Sequence, residues 1–329
     1  MRRRPVVLPA LAALPALLLA AAAAAMEAPS LERTVTERPF QIVVDRRACG
    51  PEGIHVQVLG AGGPELGAAQ AGSGYLVWVD GRARVMIDTG PGTALRYDES
   101  GAAFPDLLAL AFTQLELTHS SGLPALLRGT RDAGRTDPLP VYGPSGSELV
   151  PGLNDWTSLL FGPKGAYRHL ADFLSPLSAG GYEVVPYQID AFGRRRWTGF
   201  RRDGISLSAI PTDHGPVPAL AWRVDVDGVG ITFAGDTANR WQTVAELAEG
   251  SVILVASHMI PENARGAPRE RHMPPSQIGK IAAAADVNLV ILGQRGERTR
   301  GRESASRDLI QEHFRGPVVF ANDLECWET

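Results

Sequence analysis

Residues 108–124 read LALAFTQLELTHSSGLP. A short apolar run, Leu108 to Phe112, has strand character and stops at a polar loop carrying Gln114, Glu116, Thr118 and His119. In α/β proteins the loops that follow strands are where functional side chains collect. The same grammar recurs three times further on. ISLSAIPTDHGP (205–216) ends on Asp213 and His214, GITFAGDT (230–237) on Asp236, and LVILGQR (289–295) on Gln294 and Arg295. Four strand ends bearing His, Asp, Glu or Gln predict one shared cleft.

Outward from these segments the chain alternates strands and helices. Further strands are expected at Ile54–Leu59, Tyr75–Val79, Arg84–Ile87, Leu139–Tyr142, Tyr182–Tyr187, Leu220–Val226, Val252–Ala256 and Val318–Phe320. Their β-branched content and Gly, Pro and Asp punctuation carry that reading. Helical spacing fits Ser145–Leu160, Val244–Ala248, Pro275–Ala285 and Glu303–Phe314. Asp-Gly pairs at 80–81 and 227–228 predict hairpins, so the sheets hold antiparallel pairs. The expected architecture is two layered sheets covered by helices.

The composition sets outer bounds. With 329 residues, 44% hydrophobic and 21% charged, the chain is neither disordered nor a multi-span membrane protein. It begins MRRRPVVLPALAALPALLLAAAAAAMEAPS, three arginines followed by an apolar run ending in small residues. This is the layout of a cleaved signal peptide over residues 1–25, with residues 26–53 as a lead-in and 54–329 as one domain. The expected location is periplasmic or secreted, with no membrane contact after cleavage. Loss of the leader arginines takes the net charge from −4 to −7. That acidic balance predicts no nucleic-acid partner. The basic stretch Ala191–Arg202 reads as a solvated loop or strand edge. Export permits a disulfide between Cys49 and Cys326, the two cysteines of the chain. The sequence leaves open a bridge or two buried thiols.

Six ordered motifs carry a family resemblance: LGAGGPE (59–65), MIDTGPGT (86–93), THSSGLPALL (118–127), DHGPVPALAWRV (213–224), FAGDT (233–237) and HMPPSQIGKIA (272–282). Together they resemble the metallo-β-lactamase superfamily, in particular its secreted arylsulfatase-like branch, which is related to ribonuclease Z and phosphodiesterase members. The resemblance implies an αββα sandwich with a metal site at one edge of the two sheets. It also implies a His-x-His-x-Asp-His ligand signature, and here the sequence departs from the pattern. The matching positions are Gln114, Glu116, Thr118 and His119, and the last family histidine falls at Gln294. His214 and Asp236 match the remaining ligands.

Imidazole and carboxylate suit zinc, whereas an amide oxygen is a poor ligand. The expectation is therefore one merged metal site of Glu116, His119, His214 and Asp236, with Gln114 and Gln294 as weak candidates. It would hold one divalent ion (Zn, Mn or Fe) or none. Asp88 is expected to orient the site rather than bind metal. His272, in the HMPPS stretch, is expected to act with Asp236 in catalysis, as a proton donor or as an anion ligand before a helix N-terminus. Arg295 reads as an oxyanion contact or a solvated cation. His55, His169 and His313 read as structural or exposed, and His258 has only a weak case. The implied function is an exported ester hydrolase of sulfatase or phosphodiesterase type on a small anionic ester. The alternative is an inactive relative acting as a periplasmic binding or interaction protein.

Overall fold

A computed structural model describes residues 49–175 and 181–329. The expected leader and the lead-in before Cys49 lie outside the described residues.

The first half opens with an antiparallel meander of β1 (Ile54–Gly60), β2 (Gly74–Val79) and β3 (Arg82–Ile87). Asp80 and Gly81, at φ 48° and 71°, make the tight turn that the Asp-Gly pair predicted. Then follow α1 (Thr93–Glu99), β4 (Ala109–Ala111), α2 (Leu117–Ser120), α3 (Leu123–Thr130), β5 (Leu139–Pro144), α4 (Leu153–Phe161) and β6 (Val184–Ile189). β3 to β6 run parallel, each joined by a helical crossover or loop.

The second half begins with β7 (Trp197–Arg202), β8 (Ile205–His214), β9 (Val217–Val226) and β10 (Val229–Phe233), which pair antiparallel with one another in sequence order. It continues through α5 (Thr243–Ala248), β11 (Ser251–Ser257), α6 (Ala267–Arg271), α7 (Pro275–Ala284), β12 (Leu289–Gly293), α8 (Glu303–Gln311) and β13 (Val318–Phe320). The last strand, β14 (Cys326–Glu328), crosses back to pair with β1. Two seven-stranded mixed sheets result, in the orders β14-β1-β2-β3-β4-β5-β6 and β13-β12-β11-β10-β9-β8-β7.

The layers follow from the side-chain pattern. Val56, Val77, Val85 and Ile87 of one sheet meet Trp222, Val224, Ile231, Val255 and Ile291 of the other in a core between the sheets. The opposite face of the first sheet packs Leu76, Met86 and Leu110 against Leu126 and Leu127 of α3 and Phe161 of α4. The outer face of the second sheet packs Leu254, Val290 and Leu292 against Leu247 of α5, Ile278 and Ile281 of α7 and Ile310 of α8. Strands buried on both faces read as near-continuous apolar runs, which is why β11 and β12 were visible in the sequence. The expected αββα sandwich is the observed fold.

Two bonds pin the sheets together beside the predicted cleft. Trp222 Nε1 donates to the carbonyl of Phe112 at 2.8 Å, and Leu220 N donates to that of Thr113 at 2.8 Å. They fix the exit of β4 against β9. At the other side, Arg295 N donates to Ala61 O at 2.7 Å, tying the end of β12 to the end of β1. The chain ends are closed by the Cys49–Cys326 disulfide, which resolves the alternative left open by the sequence in favour of a bridge.

Several local expectations change. The helix expected at Ser145–Leu160 starts only at Leu153. Ser147 Oγ instead accepts from Leu149 N and Val150 N in a local turn, and Pro151-Gly152 follow before the helix can begin. Ala191–Arg202, expected as loop or strand edge, contributes the edge strand β7, whose arginines point largely to solvent. Charged side chains on an edge strand discourage pairing with other chains. Helices α1 and α3 were not visible as apolar repeats because each is short. β8 is longer than expected and carries His214 at its last position, so that histidine is held by the ladder rather than by a loop.

Candidate functional site

The C-terminal ends of β3, β4, β8, β10 and β12 converge, and each delivers one polar side chain. Asp88 follows β3 in the left-handed region, at φ 58°, a conformation Asp tolerates better than most residues. Its buried carboxylate accepts from Ser73 Oγ at 2.9 Å, Thr113 N at 2.8 Å and Thr113 Oγ1 at 2.8 Å. It also meets His119 Nδ1 at 2.7 Å. Asp88 is therefore the orienting residue the sequence suggested, and the imidazole of His119 is aimed so that Nε2 faces Asp236 Oδ2 at 3.2 Å.

His119 is completely buried between two carboxylates. Burial works against its charge, but Asp88 and Asp236 outweigh it and push the imidazole up to about 10. In the protonated form both ring nitrogens donate to carboxylates. Gln294 Nε2 lies 2.9 Å from His119 Nε2 and 2.8 Å from Asp236 Oδ2. Gln114 Nε2 donates to the same oxygen at 3.3 Å. One carboxylate oxygen of Asp236 is thus surrounded by N–H groups.

The other oxygen is not. Asp236 Oδ1 is buried without a hydrogen-bond partner, and so is His272 Nδ1, which lies 3.4 Å from it. Buried polar atoms are nearly always paired, so two orphans facing each other point to a missing ligand. Together, His214, Asp236 and His272 each offer a ligand atom, all within 4.8 Å of one another. His214 Nδ1 donates to the Arg271 carbonyl at 2.9 Å, which leaves Nε2 for the site. A backbone acceptor on the far nitrogen is the usual way a ligating histidine is held in one tautomer. Glu116 Oε2 lies 3.4 Å from His214 Nε2 and keeps 37% of its side chain exposed. Two imidazoles and a carboxylate, with Glu116 at the open side, fit a divalent ion with an open coordination position.

Charge supports the same picture. Burial penalises the Asp236 anion, but His272 and His119 on either side hold its carboxyl well below the usual range. Hydrogen bonding to His214 keeps the Glu116 carboxyl low despite its partial burial. Both acids are ionised at neutral pH.

The four-residue merged site expected from sequence is therefore rearranged. Glu116, His214 and Asp236 are brought together. His119 bridges Asp88 and Asp236, its Nδ1 on the carboxylate that Thr113 and Ser73 fix and its Nε2 on Asp236 Oδ2. His272 faces the other oxygen of Asp236, Oδ1, at 3.4 Å. Gln114 and Gln294 both donate hydrogen bonds to Asp236 Oδ2.

Two further expectations fail on geometry. The N-terminus of α7 is not open to an anion, since Glu262 accepts from Ser276 N at 2.9 Å and Ser276 Oγ at 2.6 Å. Arg295 is committed to Glu303 and to Asn322, so it is neither a free oxyanion contact nor a solvated cation. Sequence reasoning passed over Arg240 and Arg271. Arg240 hydrogen-bonds Asp213 through its backbone and its guanidinium, both at 2.7 Å. The doublet Arg271-His272 was the available signal for the second.

Comparison with known proteins agrees with the fold. No family model matches the chain. Ribonuclease Z of Mycobacterium avium strain 104 is 30% identical over 284 residues, covering 82% of this chain and 96% of the relative. Among solved structures, the metallo-β-lactamase fold protein YhfI of Bacillus subtilis superposes with a TM-score of 0.65 at 16% identity, covering 84% of this chain and 99% of that one. The short form of human tRNase Z superposes with a TM-score of 0.63 at 16% identity, covering 83% and 98%. Relatives named for action on RNA overturn the expectation of a small anionic ester and no nucleic acid. Net charge misled because it averages over the whole surface, whereas binding depends on the charges around one cleft.

Proposed function

The chain belongs to the ribonuclease Z family, with the metallo-β-lactamase fold, and on that premise we propose that it is a single-metal phosphodiesterase acting on an RNA strand. The observation that carries the reading is the 3.4 Å contact of Asp236 Oδ1 with His272 Nδ1, two buried atoms without a hydrogen bond, beside His214. His214, Asp236 and His272 would hold the ion, and a divalent ion bound there would supply Lewis acidity for attack of water on a phosphodiester.

The chain's own groups do the rest. Glu116, ionised and part-exposed beside His214, orients the attacking water and accepts its proton. It stands in for the aspartate that the family places where this chain has Thr118. Asp88 holds His119, and His119 with Gln294 and Gln114 fixes Asp236 by bonds to its second oxygen. An exported location remains part of the proposal, supported by the arginine-led leader and by a disulfide, which persists in oxidising compartments.

A second reading has its own observation. Asp236 Oδ2 already faces three nitrogen atoms, which favours an inactive relative that binds RNA without cleaving it. Metal analysis with a cleavage assay on end-labelled RNA separates the two. The enzyme reading expects chelator-sensitive cleavage abolished by His214→Ala and Asp236→Asn. Binding with no cleavage after Zn or Mn addition favours the second reading, and neither binding nor metal uptake sinks both.

A further inference from the structure

We infer that Arg271 is the residue that grips the phosphate backbone of the strand beside the His214–Asp236–His272 centre. The inference rests on the reading of this site as one for a phosphodiester. Arg271 closes α6 and is followed directly by His272. Its carbonyl receives the Nδ1–H of His214, so its backbone is fixed to one candidate ligand by a hydrogen bond and to another by the peptide bond.

Its side chain runs along the turn that follows His214. A methyl placed on Gly215 would lie 3.3 Å from Arg271 Nε and 3.5 Å from Cγ. Gly215 has φ 64°, a conformation glycine adopts without strain, and its bare backbone leaves the groove in which the arginine stem lies. The stem passes over Gly215, next to the ligand end of β8.

The guanidinium itself is uncommitted. Neighbouring arginines are engaged: Arg240 with Asp213, Arg269 with Gln277 and Arg295 with Glu303. Arg271 makes no side-chain hydrogen bond or ion pair among the described residues. A guanidinium without a carboxylate partner, with its stem lying beside a candidate metal centre, suits two-point contact with non-bridging phosphate oxygens. The charge it supplies complements the strand, whereas the ion and Glu116 act on the reacting bond.

Fluorescence anisotropy with a fluorescein-labelled single-stranded RNA, titrated at several salt concentrations, tests this on the full chain. Arg271→Ala is expected to weaken binding about tenfold and to lower the slope of log affinity against log salt by about 0.7, the loss of one phosphate contact on a single strand. Arg271→Lys keeps the slope but not the full affinity, because an ammonium makes no bidentate contact. Arg315→Ala removes an equal charge from an exposed position before β13, at the opposite end of the sheet, and is expected to leave both unchanged. Metal content and melting temperature serve as checks that the variants remain folded. Equal binding by wild type and Arg271→Ala overturns the inference while leaving the single-metal reading standing. Absence of RNA binding by the wild type overturns both.

Discussion

Gln294 Nε2 donates a 2.8 Å hydrogen bond to Asp236 Oδ2, the carboxylate oxygen that His119 Nε2 reaches at 3.2 Å. Where the metallo-β-lactamase pattern would bring a second metal to this oxygen, the chain brings N–H donors. A donor cannot coordinate a cation, so on the proposed single-metal reading this oxygen is held by hydrogen bonds instead of a second ion.

Metal stoichiometry follows from that contact. Elemental analysis of purified protein incubated with excess Zn should find about one ion per chain, the number a three-ligand site supports. His272→Ala and His214→Ala should each lower occupancy strongly. The double substitution Gln114→His and Gln294→His, which replaces two amide donors by imidazoles, should raise it above one. Two ions in the wild type would sink this account of Asp236.

Metal affinity should strengthen as pH rises through neutrality. Burial lowers the basicity of His214, but Glu116 and Asp236 outweigh it and raise the imidazole above its ordinary value. A raised histidine holds its proton to higher pH, and that proton must leave before Nε2 can ligate. Each displaced proton steepens the dependence by about tenfold in affinity per pH unit below the histidine's own value. Competition titrations with a chromophoric chelator at pH 6 and pH 8 measure it. A flat profile would show that His214 does not ligate.

His258 predicts acid sensitivity of the fold. Its Nε2 pairs with Ser306 Oγ at 2.8 Å and its ring lies against Phe320. Burial pushes it down to about 4, with Glu303 and Arg295 nearby acting in opposite directions. The unfolded chain takes up this proton below its ordinary 6.5, the folded one only below about 4. Stability is therefore fully present above 6.5 and falls as pH drops toward 4, by about 3 kcal/mol at most. Urea unfolding at pH 7 and pH 4.5 should show a larger drop for wild type than for His258→Asn, whatever the variant's starting stability. Equal drops would mean that His258 is protonated in the folded protein.

Much of this arrangement is visible in the sequence, and the reason is physical. β11 and β12 are apolar throughout because both their faces are covered, and the loops after β4, β8, β10 and β12 stand out as polar residues on apolar strands. What could not be read was which partner each side chain finds. His119 and His272 both follow the pattern of site histidines, but Thr113 and Ser73 fix Asp88 so that it orients His119 onto Oδ2 of Asp236, and His272 meets Oδ1. Glu262 closes the α7 terminus from ten residues before His272, a contact with no local spacing signature. Such choices depend on distances across the fold rather than along the chain.

The Cys49–Cys326 bridge joins positions 277 residues apart and ties the entry of β1 to β14. Beside it, Asp323 accepts from Ala61 N at 3.1 Å and Ala71 N at 2.8 Å and pairs with Arg96. The C-terminal segment thus braces the loop after β1, the same loop that meets Arg295 across the two sheets. A cross-link over so long a loop restricts the unfolded chain and is worth about 3–5 kcal/mol in the chain-entropy account. Cys49→Ser/Cys326→Ser is expected to lose that much in urea unfolding and to match reduced wild type. Because Asp323 and β14 retain their own hydrogen bonds, the variant should still fold and bind metal at low temperature. Loss of metal binding together with the bridge would instead make the C-terminal brace a condition for assembling the site.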